Sequence, residues 1–196
     1  MRAVTIAIAV CLLPLLALAQ GGNYKPYTAT GFGFGVNVPD SGTIAAPGSE
    51  GWDREAEVAF EWYGDDTDPV KLIMARVDDA GAALDEGSFR AFTDELLGYW
   101  APAHPASGND AETGDQPASD DFEVLNTADN LKIGGKTWNL IEVADRSDPQ
   151  TTVYYSVFST WEGTKIYTLT FYYLKPTMEQ VQNFGKPVLQ GFKVVP

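Results

Sequence analysis

The segment TTVYYSVFSTWEGTKIYTLTFYY, residues 151–173, decides the fold class. Residues 151–160 and 165–173 are rich in Val, Ile, Thr, Tyr and Phe, which favour strands. Residues 161–164 join the two runs and contain a glycine. The segment therefore predicts two antiparallel strands joined as a β-hairpin.

The second strand of this hairpin has two faces of different character, because successive side chains in a strand point to opposite sides. One face is fully apolar or aromatic and is predicted to lie in the core: Tyr167, Leu169, Phe171 and Tyr173. The other face is less apolar and, with a tryptophan at the hairpin tip, is predicted to form a contact surface for a sugar or a protein. The residues of this candidate interaction surface are Trp161, Thr168, Thr170 and Tyr172.

Three further strands are predicted near the start of the chain. Residues 32–38 alternate apolar side chains with Gly and Asn, and residues 56–62 alternate apolar side chains mainly with Glu. The second of these strands should have one buried and one acidic face. Residues 70–77 are apolar on both sides apart from Lys71 and Arg76, which predicts that both faces are covered.

Two helices are predicted from capping residues and apolar spacing. Ser88 is the expected N-cap of the first helix, which should end near Trp100. Thr177 opens a capping-box pattern for the second helix. Gly185 and Pro187 should interrupt this second helix.

Between the helices, residues 122–126, 131–133 and 136–143 are predicted strands, and the last two flank Gly134 and Gly135. A Gly pair can adopt the positive φ angles that a two-residue hairpin requires. Most links between strands are too short for a crossover helix. The chain is therefore predicted to be α+β, with an antiparallel β-sheet flanked by helices.

Short sequence words along the chain resemble the PsbP-like superfamily, which includes the DcrB-like periplasmic proteins. These words are GFGF at residues 31–34, VP at 38–39, LKIGGK at 131–136, the hairpin at 151–173 and GFKV at 191–194. The resemblance implies an α/β/α sandwich. It also implies a protein that acts by binding, or by stabilising a larger assembly, rather than by turning over a substrate.

The N-terminus is typical of a signal peptide. Arg2 precedes an apolar run that ends in small residues at Ala17 and Ala19, so residues 1–19 are predicted to be removed on export. An uncleaved membrane anchor is the alternative. The remaining residues, 20–196, are predicted to form a single secreted or periplasmic domain with no integral membrane span. An acidic loop is expected near residues 101–121.

The composition excludes several classes of function. The chain has 13 Lys and Arg against 27 Asp and Glu, for a formal net charge of −14, so nucleic acid is not an expected partner. One His, His104, and one Cys, Cys11, cannot supply the ligands of a zinc site. A catalytic triad also lacks a base, because His104 lies in a Pro-flanked loop.

Two oxygen-based chemistries remain open. Asp65, Asp66 and Asp68 in one tight turn are candidate calcium ligands, although Asp also favours turns for its own hydrogen bonding. Glu57 and Glu61 share one strand face, but residues four apart on a strand are separated by about 13 Å. A glycosidase would therefore need a second carboxylate from elsewhere.

These observations favour an exported non-enzymatic binding or assembly module, whose partner is an unidentified protein or small ligand. The alternatives are a carboxylate-based secreted hydrolase and a calcium-dependent adhesion or stability module. No cofactor is expected, except calcium in the last of these alternatives.

Overall fold

The computed structural model describes residues 23–100, 121–148, 150–174 and 178–195, without the side chains of residues 99–100 and 178–182. The predicted signal peptide and almost all of the predicted acidic loop lie outside these ranges, as does His104. The predictions made for those segments therefore stay predictions.

The described ranges contain strands β1 to β10 and helices α1 and α2. In chain order they are β1 (Tyr24–Ala29), β2 (Phe34–Pro39), β3 (Thr43–Ala45), β4 (Val58–Tyr63), β5 (Val70–Asp79), α1 (Glu86–Trp100), β6 (Phe122–Ile133), β7 (Lys136–Asp148), β8 (Thr151–Glu162), β9 (Lys165–Leu174), α2 (Met178–Gln190) and β10 (Lys193–Val194).

The strands form two antiparallel sheets. The larger has seven strands in the order β3-β4-β5-β9-β8-β7-β6, and the smaller has three in the order β1-β2-β10. Every pairing in both sheets is antiparallel. The predicted antiparallel α+β architecture is confirmed.

The predicted hairpin of residues 151–173 forms the centre of the larger sheet. β8 and β9 pair from Val153 opposite Leu174 to Glu162 opposite Lys165. The connection is the two residues Gly163 and Thr164, with Gly163 at a φ of 64°. Trp161 therefore lies within β8 rather than in the connection where the sequence pattern placed it.

One face of the larger sheet, here called the inner face, carries the main core. The predicted core residues of β9 are all at most 4% exposed: Tyr167, Leu169, Phe171 and Tyr173. Phe34 of β2 packs edge-on against Tyr167, and Phe184 of α2 packs against Trp62 of β4. The smaller sheet and α2 together therefore cover the inner face.

The opposite face, here called the outer face, is packed by α1. Phe89 stacks on Trp161 with ring centroids 4.3 Å apart. Leu96 and Leu97 pack against a separate apolar cluster around Val157. The α/β/α sandwich that the resemblance implies describes this arrangement only in part, because a three-stranded sheet shares the inner face with α2.

Helix α1 begins one turn earlier than predicted. The carboxylate of Asp85 accepts hydrogen bonds from the backbone N–H of Ser88 at 2.7 Å and from its hydroxyl at 2.8 Å. Asp85 is therefore the N-cap and the expectation for Ser88 was wrong. The backbone hydrogen bond from Ser88 also lowers the pKa of Asp85, since it stabilises the charged carboxylate.

Helix α2 continues through Gly185 and Pro187, where the sequence predicted an interruption. A proline within a helix removes one backbone hydrogen bond. Val188 and Leu189 are 0% and 2% exposed, and burial of these side chains offsets that loss. Gly191 then ends the helix, its N–H bonding the carbonyl of Pro187 at 3.0 Å.

The first strands also differ from the prediction. β2 begins at Phe34 because Thr30–Phe32 form a 3-10 turn, and β1 precedes it. β4 does not have one buried and one acidic face, since Ala59 and Glu61 are as buried as the core side.

In the described part of the chain, neither α1 nor α2 has the length and apolar character that a membrane-spanning helix needs.

Candidate binding groove

The outer face is too wide for the helix that covers it. Seven strands spaced about 4.8 Å apart span roughly 29 Å, whereas a helix with its side chains is about 10–12 Å across. The side chains of α1 contact β7 and β8, where Phe89 meets Trp161 and Thr93 meets Asn139 at 3.3 Å. Within the described ranges, the outer face of β5 and β9 is therefore only partly covered beside the helix: Met74, Arg76 and Thr170 are half-buried, whereas Thr168 is 7% exposed.

A groove of about 610 Å³ lies along this boundary. Its floor is formed by Met74 and Arg76 of β5 and by Thr168 and Thr170 of β9. In the pairing of the two strands, Met74 lies opposite Thr170 and Arg76 lies opposite Thr168. Phe92 and Leu96 of α1 form its apolar wall. The sequence predicted that β5 was covered on both faces, but Met74 and Arg76 are only half-buried.

The charged residues of the groove are mostly acidic. Arg76 pairs with Glu55 at 2.7 Å and with Asp78 at 3.0 Å. Burial alone would lower the pKa of Arg76, but its hydrogen bonds to the two carboxylates raise it overall. Glu95 of α1 also lines the groove, so three acids face one base.

The predicted interaction surface is divided by the structure. Thr168 and Thr170 line the groove, and Tyr172 follows them on the same face, where it packs edge-on against Tyr155 with centroids 5.7 Å apart. Trp161 is half-buried beneath Phe89 instead of standing open at a hairpin tip. The structure therefore brings two of the four residues together in the groove, with Thr170 half-buried and Thr168 only 7% exposed.

The aspartates predicted to bind calcium organise their own turn. The Asp65 carboxylate accepts hydrogen bonds from the hydroxyl and the N–H of Thr67, which lower its pKa. Asp68 accepts from the N–H of Asp65 at 2.9 Å and from the hydroxyl of Ser41 at 3.0 Å. Asp66 contributes a carbonyl oxygen to Lys71.

No three acidic, His or Cys side chains in the described part of the chain are grouped so that they could hold a metal ion. The structure therefore does not gather Asp65, Asp66 and Asp68 around a common point. Calcium binding stays a prediction for these residues.

The groove residues outside β9 were missed at the sequence level. The signal was present in β5, where Leu72, Met74, Arg76 and Asp78 alternate with the core residues of the same strand. Their exposure depends on how far α1 extends over the sheet, which no local pattern encodes.

The sequence matches no family model and no curated protein. The solution structure of cyanobacterial PsbP (CyanoP) from Synechocystis sp. PCC 6803 aligns with a TM-score of 0.56 at 15% identity, over 92% of this chain and 99% of that one. The chain has the PsbP-like fold.

Two other solved structures also align with this chain over most of its length. The Ran-binding protein Mog1p of Saccharomyces cerevisiae aligns with a TM-score of 0.54 at 12% identity, over 89% of this chain and 96% of Mog1p. A protein from Bacteroides thetaiotaomicron VPI-5482 aligns with a TM-score of 0.56 at 12% identity, over 88% of this chain. This chain spans about half of that protein, 48% of its length. The expected PsbP-like fold is confirmed.

Proposed function

We propose that this PsbP-like chain is a non-enzymatic binding module that holds an extended segment of a partner protein in the groove between α1 and the outer face of β5 and β9. The observation that carries this proposal is the groove itself. Its floor is a partly open sheet face, its wall is apolar, and its charges are mainly acidic. Mog1p is named as a Ran-binding protein, which supports a role of this fold in binding proteins.

The chemistry of the groove defines the partner segment. Phe92, Leu96 and Met74 offer apolar contacts, which favour apolar side chains on the segment. The groove has an excess of negative charge, since its lining holds Glu55, Asp78 and Glu95 but only one base, Arg76. This excess favours Lys or Arg side chains on the bound segment. The net charge of −14 also steers a basic partner toward the protein. The expected segment therefore alternates apolar and basic residues.

A peptide selection tests this proposal. Random peptides displayed on phage are selected on the immobilised chain, and the enriched peptides are synthesised for affinity measurements. We expect peptides that combine Lys or Arg with apolar residues, and an affinity that falls with added salt because the charges are solvent-accessible. Enrichment of acidic peptides would contradict the proposal.

A pair of matched variants assigns the site. Thr170→Arg places a long side chain in the groove floor, whereas Thr28→Arg makes the same change on an exposed position of β1 in the smaller sheet. We expect about a tenfold loss of peptide affinity for the first variant and none for the second. Equal affinities of the two variants would place the peptide elsewhere.

We also infer that the protein acts after export, because residues 1–19 combine a basic start, a short apolar run and a small-residue cleavage pattern. Cell fractionation followed by N-terminal sequencing tests this inference. The expected product begins at Gln20. A chain in the cytoplasmic fraction that still begins at Met1 would overturn it.

A further inference from the structure

A second cavity of about 500 Å³ lies on the inner face, between α2 and the β6–β7 hairpin. Most of its lining is apolar, and its larger apolar side chains are Leu131, Ile133, Leu140, Phe158, Phe171 and Leu189. Gly134 of the hairpin lies close to the end of α2: a Cβ atom at this position would be 2.8 Å from Cα of Gln190. The volume lies within the range of pockets that hold small organic ligands.

A row of polar side chains crosses the floor of this cavity. Asn126, Glu142 and Ser156 lie directly opposite one another on β6, β7 and β8. The Asn126 side chain donates a hydrogen bond to Oε2 of Glu142 at 2.9 Å, and the Ser156 hydroxyl lies 3.5 Å from Oε1. The hydroxyl of Ser156 also forms a hydrogen bond with the phenol hydroxyl of Tyr173. The neighbouring row toward the hairpin tip is apolar: Ala128, Leu140 and Phe158.

Glu142 is buried without a positive charge to balance it. Its exposed fraction is 9%, and within the described ranges no Lys or Arg forms an ion pair with it. Two lysines line the same cavity. The ammonium group of Lys132 donates to the hydroxyl of Thr137, and Lys186 is exposed on α2. A buried carboxylate with only neutral donors is unfavourable, since a neutral hydrogen bond replaces only part of its hydration.

We propose that this cavity binds a small cationic amphiphile, a primary amine with an apolar chain. The ammonium group donates hydrogen bonds to the carboxylate of Glu142 and supplies the missing positive charge. The apolar chain lies along Leu140 and Phe158 toward the hairpin tip. This cavity lies on the opposite face of the sheet from the peptide groove and shares no lining residue with it. Amine binding here and peptide binding in the groove can therefore be tested independently.

Three probes that differ only in the head group test the proposal on the unaltered chain. Isothermal titration calorimetry is carried out with n-octylamine, n-octanol and octanoate at neutral pH. We expect the amine to bind at least about tenfold more tightly than the alcohol, and octanoate to bind most weakly because its charge is repelled by Glu142. Binding of octanoate as tight as that of the amine, or no binding of the amine, would overturn the proposal.

Two matched Glu→Gln variants assign the charge. Glu142→Gln removes the carboxylate of the cavity with almost no change of volume, and Glu50→Gln makes the same change at an exposed position outside the cavity lining. We expect the first to lower octylamine affinity about tenfold or more and the second to leave it unchanged. Circular dichroism and a thermal melt verify folding of both. Unchanged affinity in a folded Glu142→Gln variant would refute the site, and the probe comparison above decides the matter if this variant does not fold.

Discussion

The carboxylate of Glu61 lies buried in β4 and is held by two donors from different parts of the chain. Its exposed fraction is 4%. Nε of Arg54 lies 3.1 Å from this carboxylate, and the phenol of Tyr63 donates a second hydrogen bond. The hydrogen bond to Glu61 raises the pKa of Tyr63, because ionising the phenol would remove this donor. Glu61 is therefore a satisfied structural carboxylate and not a free one.

The variant Tyr63→Phe removes one donor from this buried carboxylate. We expect it to lower the free energy of unfolding by about 1 kcal/mol at neutral pH, since Glu61 is left partly unsatisfied. A raised folded-state pKa gives stability that is present below the ordinary tyrosine pKa and lost as pH rises through the folded value. The difference between wild type and variant in urea denaturation should therefore shrink under alkaline conditions.

The control for this prediction is Tyr154→Phe. Tyr154 stacks on Tyr173 with ring centroids 6.1 Å apart, and its hydroxyl forms no hydrogen bond within the described ranges. We expect it to change stability little. A Tyr63→Phe variant as stable as the control at neutral pH would mean that Arg54 alone satisfies Glu61.

Residue-level patterns in the sequence predicted the burial of side chains better than the identity of their partners. The apolar face of β9 was predicted correctly because strict alternation is a local property. Glu61 was predicted to face solvent for the same reason, and the prediction was wrong because its partner Arg54 comes from the preceding loop. Glu142 and Ser156 gave one usable signal, since each is a polar residue whose two sequence neighbours are apolar or aromatic.

At the scale of elements, the β6–β7 hairpin is joined to α2 by a close backbone approach. Gly134 and Gly135 both adopt positive φ angles, 59° and 79°, as the glycine pair predicted. Only Gly134 faces the helix, where an added Cβ would stand 2.8 Å from Cα of Gln190 and 2.9 Å from the carbonyl oxygen of Leu189. An added Cβ at Gly135 would meet nothing within 4 Å.

These two glycines form a matched pair of variants. Gly135→Ala strains the left-handed backbone alone and should cost about 1 kcal/mol of stability. Gly134→Ala adds a clash with the helix end and should cost about 2 to 4 kcal/mol. Urea denaturation of both variants measures the difference. Equal losses would show that the hairpin and α2 separate without penalty, which contradicts the packing described here.

Local signals identified most elements but set some of their ends wrongly. Proline and glycine predicted a break in α2, yet buried contacts of Val188 and Leu189 hold the helix together. β1 was not predicted, because Pro26 is unfavourable in a strand except where the strand lies at a sheet edge. In both cases tertiary packing decided what local propensity could not.

At the scale of the whole molecule, the proposed function depends on how two different layers cover the two faces of one sheet. The inner face is covered by α2 and the smaller sheet, whereas α1 is the helix that packs on the outer face in the described part of the chain, on its β7 and β8 side. The sequence predicted an antiparallel sheet with two helices. It could not predict the strand order, because the pairing of β5 with β9 joins Val77 to Tyr167 across distant parts of the chain.

The groove between α1 and the outer face of β5 and β9 is the proposed binding site. The most direct test is a backbone amide chemical-shift map of the isotope-labelled chain, titrated with a peptide enriched in the selection. We expect the largest shifts on Met74, Arg76, Thr168, Thr170 and Leu96. Largest shifts on β1, β2 or β10 of the smaller sheet, with these five residues unmoved, would contradict it.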